Sequence, residues 1–340
     1  MPAPRISVLL ISYKHEQFIA EALRSLLAQT ATHFEIIIAD DASPDRTREV
    51  IEAILKDNQR SDLTIIKVYH EKNLGLLGNV NAAMAAASGE IFVMAAGDDI
   101  ALPNRISQLL AGFDASPEIQ LVCSNYQKIT EDGQLLGTPP SRFRTRIFNY
   151  HPSERDIYAH SPICGATAAY RRTLYENFGP MCPGTHGEDN CFWVRALLIG
   201  KIYYNSAPLI HWRQHRDNLS NSIDDSFTTP ESRNGLIKWM RAHSQMLPQW
   251  ERDIQTALDK GLISPIKAQQ TLSRGKYDAA KWEMQYCTLG VRPWSEWFLA
   301  AKKLLPYLQF DRILRFFKLR ISDRRRQREW QWWANYRRKN

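Results

Sequence analysis

Residues 35–45 read E-I-I-I-A-D-D-A-S-P-D. Ile36, Ile37, Ile38 and Ala39 run without a polar interruption, which fits a strand buried on both faces rather than one with a wet side. Asp40-Asp41 stops the run. Ser43 and Pro44 then suit an N-cap and a first helical position. Val50, Ile51, Ile54 and Leu55 follow at helical spacing, so the segment is a β-α unit with two carboxylates at the strand's carboxyl end.

The same alternation continues on either side. Upstream, Ile6–Ile11 is a short β-rich run, and Phe18, Ile19, Ala22, Leu23, Leu26 and Leu27 recur as an amphipathic helix. Downstream come a strand over Leu63–Val68, a helix over Asn79–Ala87, a Ser88-Gly89 turn and a strand over Ile91–Ala95. Such a series predicts an α/β fold, a mostly parallel central sheet with helices on both faces. Ligands of these sheets bind beyond the carboxyl ends of the strands. That rule selects Ser12-Tyr13, Asp40-Asp41 and Asp98-Asp99.

Further on, a helix is expected through Phe113, a strand near Leu121–Ser124 and a turn at Asp132-Gly133. Residues 138–160, with Arg142, Arg144 and Arg146, read as a long loop. Ile163–Tyr170 suits a central strand or a strand-to-helix junction. Glu188-Asp189-Asn190 opens a helical run over Cys191–Leu198, and Ile202–Ile210 is the last expected strand. From about residue 230 the pattern is helical, which divides the chain into 1–225 and a helical C-terminal region, 226–340.

The 340 residues suffice for about two domains, and 44% hydrophobic with 24% charged side chains is ordinary globular composition. No apolar run approaches the ~18–20 residues that span a bilayer, and the start does not read as a signal peptide. A cytoplasmic location is therefore expected. Five cysteines without a C-x-x-C pair argue against a disulfide framework or a thiolate zinc site. His211 and His215 lack the glutamate of a zinc-protease helix, and no G-x-G-x-x-G follows a strand, which disfavours a nicotinamide dehydrogenase. The net charge of +8 lies wholly in residues 311–340, where eleven Lys/Arg face Asp311, Asp323 and Glu329.

Together I-S-Y-K-H-E-Q-F-I (11–19), residues 35–45, N-L-G-L-L-G-N-V-N (73–81), S-G-E-I-F-V-M-A-A-G-D-D (88–99), L-P-N-R (102–105), G-E-D-N (187–190) and W-R-Q-H (212–215) resemble the family 2 inverting glycosyltransferases. The resemblance covers about residues 5–220. It implies the glycosyltransferase A fold, a nucleotide-diphosphate sugar donor (most readily a UDP-sugar) and a divalent metal, Mn2+ or Mg2+.

By that resemblance Asp98 is the metal ligand and Asp99 its neighbour at the donor. Ala96 stands where relatives have a first acidic residue, which leaves metal positions to water or sugar hydroxyls. Asp41 matches the carboxylate that reads the base. Tyr13 matches an aromatic packed on the base, against a plain core aromatic as the other reading. Ser12, Asn73, Gly75 and Asn81 fall in nucleotide-binding segments, with Gly75 also explicable as a backbone requirement. Asp189 matches the catalytic base and Glu188 its partner; complementing a helix dipole is their simpler role. His215 matches a position that reaches metal or diphosphate, and Arg213 a diphosphate contact, with a loop pair as the equal alternative.

The basic, Trp-rich segment 309–340 suits an anionic membrane surface more than nucleic acid, since no nucleic-acid module accompanies it. Residues 231–308 are expected to pack as helices. The acceptor implied by the resemblance is a glycan or lipid-linked sugar in surface-polysaccharide assembly, with the enzyme peripheral on the cytoplasmic face. Two other classes compete with this expectation. A sugar nucleotidyltransferase needs a glycine-rich loop after the first strand, and residues 12–16 hold no glycine. A catalytically inactive α/β domain that binds membrane or nucleic acid through its tail would keep the fold without the chemistry.

Overall fold

The computed structural model describes residues 5–138, 144–149, 164–185, 187–218, 229–290, 292–307, 310–322 and 325–332. Two compact units emerge, Met1–Gln214 with Asp259–Ile263, and His215–Leu258 with Ser264–Asn340. The boundary expected at 225/226 lies outside the described residues.

In the first unit β1 (Ile6–Ser12), α1 (Ile19–Leu27), β2 (Glu35–Asp40), α2 (Thr47–Lys56), β3 (Thr64–Tyr69), α3 (Gly75–Ala86) and β4 (Ile91–Ala96) follow the expected alternation. Then come β5 (Ile100–Ala101), α4 (Arg105–Asp114), β6 (Ile119–Ile129), β7 (Leu135–Gly137), β8 (Arg146–Asn149), β9 (Ala169–Arg171), α5 (Arg172–Phe178), α6 (Glu188–Ile199) and β10 (Lys201–Arg213). The strands form one mixed sheet in the order β3-β2-β1-β4-β9-β6-β10-β5, with β7 on β6 and β8 on β10. Strands β3, β2, β1 and β4 are mutually parallel, as are β6 and β10; β9 runs antiparallel between the two groups.

Every residue of β1 and β2 is buried, as their unbroken apolar runs require. β3 is the edge strand, and Thr64 and Lys67 give it a polar outer side. Val8, Leu10, Ile36 and Ile38 join one core cluster with α1 (Ile19, Leu23), α2 (Ile51, Ile54) and α4 (Ile106, Leu109). Leu9 and Ile37 point the other way and are fully buried, on the side where α3 meets β1 and β2. Both faces of the sheet are thus covered.

At the amino ends of the strands the buried Glu35 carboxylate accepts from Ser7 Oγ (2.5 Å), Ser88 N–H (2.6 Å) and Ser88 Oγ (2.9 Å). A charge out of water is tolerated when its lone pairs are filled this way. It ties β1, β2 and the turn before β4 into one register. That register sets Ser12 level with Asp40 and Ile11 level with Ala96 at the other end.

Three local expectations change. α2 starts at Thr47, not Pro44, because the Asp40 carboxylate captures Ser43: its N–H and Oγ donate to Asp40 at 3.1 and 2.5 Å. α3 starts at Gly75, one turn before Asn79. Arg146 lies in β8 rather than in a loop, paired with Tyr204. From Cys164 on, the segment expected as a central strand or strand-to-helix junction is a short 3-10 turn, Gly165–Thr167, leading into β9, which lies in the middle of the sheet and runs directly into α5, in line with that expectation.

The second unit is helical: α7 (Pro230–Ser244), α8 (Leu247–Asp259), α9 (Pro265–Leu289), α10 (Trp294–Leu304) and α11 (Phe310–Arg320), with residues 325–332 also helical. Thr229 and Ser264 cap α7 and α9 by accepting N–H bonds of 3.2 Å, each followed by proline. Met284, Cys287, Trp297, Leu304, Phe316 and Leu319 form its core. Among the described residues no helix is long and apolar enough to cross a membrane.

Candidate active site

Three groups of polar side chains collect beyond the carboxyl ends of the parallel strands. The first follows β1 and β2. Ser12 is buried and its Oγ donates to Asp40 Oδ2 at 3.2 Å. Asp40 is itself saturated, taking 2.5 Å bonds from Arg48 Nε and Ser43 Oγ. Asp41 is the member of the pair that faces the next loop. Its N–H donates to the Ser12 carbonyl (3.0 Å), its Oδ1 accepts the Leu74 N–H (2.7 Å), and its carbonyl accepts Asn73 Nδ2 (3.3 Å). Asn73 Oδ1 in turn accepts the Gly75 N–H at 3.0 Å, and Gly75 holds a φ of +75° that side chains resist. Tyr13 is 38% exposed at this rim, with the Lys14 ammonium 5.2 Å from its ring centre. Lys14 and Ala42, both non-glycine, sit at φ of 59° and 57° in the loops after β1 and β2. Strain of that kind persists only where surrounding bonds enforce it. Here the Lys14 N–H to Ser43 Oγ bond (2.9 Å) and the His15 N–H to Thr47 Oγ1 bond (2.9 Å) join the two loops.

The second group follows β4. The Asp98 carboxylate is 12% exposed and lies 3.8 Å from His15 Nε2. Asp99 is buried, and its Oδ1 accepts the backbone N–H of Arg213 at 2.9 Å. Burial and the neighbouring Asp98 charge push the Asp99 carboxyl well above the usual carboxylate range, against the Arg213 amide, Arg105 and Arg213. Arg213 is buried too. Its Nε donates to the Asp98 carbonyl (2.9 Å), Nη1 to the Glu131 carbonyl (2.6 Å), and Nη2 pairs with the Glu21 carboxylate. All three guanidinium nitrogens serve the protein, so Arg213 sits as a brace for the Asp98-Asp99 turn rather than as an outstretched phosphate contact.

The third group is the acidic pair in the first turn of α6. Glu188 is buried; a methyl group placed on Gly165 would come within 2.0 Å of its Oε1, so the 164–167 turn lies directly on that carboxyl. Burial, then the Asp189 charge, pushes Glu188 up to about 8. Asp189 is half-buried and its Oδ1 accepts the Asn190 N–H (2.7 Å) and Nδ2 (3.0 Å). Burial raises it to about 6 against those bonds. Arg105 connects the second and third groups. It is buried, it attracts Asp99, and its Nη2 donates to the carbonyls of Met94 (2.5 Å) and Ala166 (2.6 Å). Cys164 feels Asp99, Asp189 and Glu188 together, and its thiol is raised by burial and by those charges.

Asn81 lies outside these groups. Its amide donates to the Met181 carbonyl (3.1 Å) and accepts the Met181 N–H (3.0 Å), a brace between α3 and the chain after α5. His215 opens the second unit, buried, with its N–H donating to Asn218 Oδ1 at 2.7 Å. Asn79, two residues before Asn81, takes the buried place that 73–81 offers, donating to the Ala39 carbonyl at 3.0 Å. Sequence reasoning missed His15, Asn79 and Arg105 as site residues. Each lies inside a stretch that carried the resemblance, His15 in 11–19, Asn79 in 73–81 and Arg105 in 102–105, but none was singled out there.

Asp98 and His15 bring a carboxylate and an imidazole within 3.8 Å, an oxygen-nitrogen pair that would supply two ligands to a divalent ion and does not select which one. Among the described residues no group of three or more His, Cys, Asp or Glu could hold a metal. Other positions would fall to water and donor oxygens.

The model of the glycosyl transferase family 2 domain matches residues 7–179, more than half of the chain. The chain belongs to this family. An uncharacterised glycosyltransferase of Nostoc sp. is 24% identical over 290 residues, covering 83% of this chain and 85% of its own length. The putative glycosyltransferase EpsH of Bacillus subtilis is 30% identical over 228 residues, 64% of this chain and 63% of that one. Two solved structures share the fold at low identity. Staphylococcus aureus TarS 1-349, in complex with UDP-GlcNAc, has a TM-score of 0.58 at 19% identity over 94% of this chain and 91% of its own. The mannosyltransferase PcManGT of Pyrobaculum calidifontis, in complex with GDP-Man and Mn2+, has 0.52 at 17% identity, covering 98% of this chain and 85% of that one. As a glycosyl transferase of family 2, the chain is a transferase with a mixed α/β sheet and a helical C-terminal region.

Proposed function

We propose that this glycosyltransferase is divalent-metal-dependent and inverting, and moves one sugar from a UDP-sugar to a glycan or lipid-linked acceptor in polysaccharide or lipopolysaccharide biosynthesis of the cell envelope. The observation that carries it is the buried link between the two acidic couples: Arg105 donates to the Met94 carbonyl of β4, the strand that leads to Asp98-Asp99, and to the Ala166 carbonyl, in the turn that lies on Glu188 beside Asp189. One carboxylate for the donor and one for the acceptor is what a single in-line displacement needs. TarS with UDP-GlcNAc and PcManGT with GDP-Man support a nucleotide-sugar donor.

In this scheme Asp41 and Tyr13 take the base, while Ser12, Asn73, Gly75 and Asn81 hold the loops that frame it. Asp98 is the metal ligand with His15 facing it, and His215 keeps the metal or diphosphate role implied by its motif. A bound Mn2+ or Mg2+ supplies neutralisation of diphosphate charge as the leaving group departs. Asp99, Arg213 and Arg105 fix the Asp98 turn. Asp189 removes the acceptor hydroxyl proton as that oxygen attacks the anomeric carbon from the face opposite the diphosphate. Glu188, protonated at neutral pH, orients that segment without competing for the proton. The tail at 309–340 holds the enzyme on the cytoplasmic face of an anionic membrane.

The test is hydrolysis of a panel of nucleotide sugars with Mn2+, Mg2+ or EDTA, on wild type and Asp98→Ala. Slow metal-dependent release of one nucleoside diphosphate, lost in Asp98→Ala, is expected. Failure of every nucleotide sugar to bind under any metal condition would instead favour an inactive domain acting through its tail.

A further inference from the structure

The helical unit carries a surface that the donor chemistry does not use. On α11, whose winding the Ile321 N–H to Phe317 carbonyl bond (3.2 Å) carries one residue past its end, Phe317, Ile321 and Leu314 lie side by side within an arc of about 60° at about 100° per residue, and Lys318 and Arg315 occupy the next part of the circle. All five are exposed, Ile321 by 60%, whereas Phe316, Leu319 and Arg320 turn inward. The outward face of α11 is therefore half apolar and half basic. Its apolar half continues onto α10 through Trp294, whose ring lies 5.9 Å from Phe317 and 5.8 Å from Phe298, itself 58% exposed. The basic half borders a cleft of about 540 Å3 whose lining includes Arg315, Lys318, Arg325, Arg328 and Trp332. Glu329 pairs with Arg315 at 2.7 Å; Lys318, Arg325 and Arg328 have no acidic partner among the described residues.

We infer that the α10–α11 face is a docking surface for an anionic phospholipid bilayer, with Phe298, Phe317 and Ile321 entering the acyl boundary and the Lys318–Arg325–Arg328 cleft receiving headgroup phosphate. Exposed aromatic and aliphatic groups beside unpaired cations match an interface that is apolar below and negative above. Nucleic acid would stack on the aromatic rings but gains nothing from Leu314 and Ile321. A two-fold contact with a second copy would set the three cations against like charge. This deepens the membrane association proposed for 309–340 and rests on it, but it moves the apolar anchor to α10 and α11.

The experiment is co-sedimentation of the full chain with phosphatidylcholine vesicles, with and without phosphatidylglycerol. It compares wild type, Phe298→Ser/Ile321→Ser, Lys318→Glu/Arg328→Glu and a tail variant, Arg337→Glu/Arg338→Glu/Lys339→Glu. Wild type should bind only the anionic vesicles. Each of the first two variants should bind at least about tenfold more weakly, with unchanged circular dichroism and unchanged donor hydrolysis in solution. Trp fluorescence should shift to the blue on binding in wild type. If only the tail variant loses binding, the α10–α11 surface is wrong while the tail association stands. If no variant and no vesicle shows binding, both fall. A wild-type dimer that Phe298→Ser/Ile321→Ser converts to monomer, or binding to single-stranded DNA in place of vesicles, overturns the bilayer assignment.

Discussion

The backbone N–H of Arg213 donates to Asp99 Oδ1 at 2.9 Å, joining the last residue of β10 to the turn after β4. The short antiparallel pairing of β5 with β10, Ile210 opposite Ala101 and His211 opposite Ile100, brings these positions together. The Arg213 side chain then closes over the same turn through the Asp98 carbonyl. The acidic turn is thus fixed by a strand distant in sequence.

Removing that brace should cost stability as well as activity. Arg213→Ala empties the place of a buried guanidinium and leaves the Asp98 and Glu131 carbonyls without their donor, a loss of about 2–4 kcal/mol. Thermal unfolding should drop by several degrees and turnover should fall. Arg213→Lys, which keeps the charge but not the fork, should recover only part of both. A variant with unchanged melting temperature and a raised donor KM alone would make Arg213 a diphosphate ligand instead.

Asp98 should behave differently. Its carboxylate is partly open and faces His15, so Asp98→Asn keeps size and loses only charge. The fold should survive, with a stability change of about 1 kcal/mol for a largely buried polar group, while metal-dependent donor hydrolysis falls by about a hundredfold or more. Isothermal titration with Mn2+ in the presence of a nucleoside diphosphate reads the same loss. Retained hydrolysis in Asp98→Asn would remove this residue from the donor site.

The pH profile reports the base. Burial raises Asp189 to about 6, and a base works only when ionised. The logarithm of kcat/KM should therefore rise with pH through that value and level off above about 7. Asp189→Asn should lose that limb along with about a thousandfold or more in rate. A profile flat from pH 5 to 8 in wild type, measured with saturating metal, would falsify the assignment.

Much of the first unit was legible because its strands are continuous apolar runs ended by polar clusters. Ile36–Ala39 and Ile91–Ala95 announced both strand and rim. The errors came where a side chain outbid a local rule. Ser43-Pro44 looked like a helix start until Asp40 captured Ser43. Buried charges were the least legible. Arg213 was expected at the diphosphate, with a loop pair as the alternative, and Arg105 was given no role of its own, since their partners are backbone carbonyls supplied by distant segments. Of the two asparagines only Asn81 was a candidate in sequence, yet helix phase turned Asn79 toward β2 and Asn81 toward Met181. The exposed face of α11 was half visible, as basic residues among aromatics, but its join to α10 through Trp294 is tertiary.

Glu188 offers a stability test that does not depend on turnover. Its carboxyl is raised to about 8 by burial and by the Asp189 charge, from an ordinary value of 4.5. Between those two values the unfolded chain has lost the proton and the folded chain still holds it, so folding takes up a proton. Stability from this group is fully present below about 4.5 and is lost as pH rises through about 8. Glu188→Gln carries a neutral amide in place of the protonated acid and removes that dependence. Its melting temperature should match wild type near pH 3.5, where Glu188 is protonated in both the folded and the unfolded chain, and exceed it near pH 8.5. The difference should vanish in a Glu188→Gln/Asp189→Asn comparison against Asp189→Asn if Asp189 alone raised Glu188, and should shrink but persist if burial leads. Equal melting curves for Glu188→Gln and wild type at both pH values would mean that Glu188 ionises at its ordinary value and shares no proton with the fold.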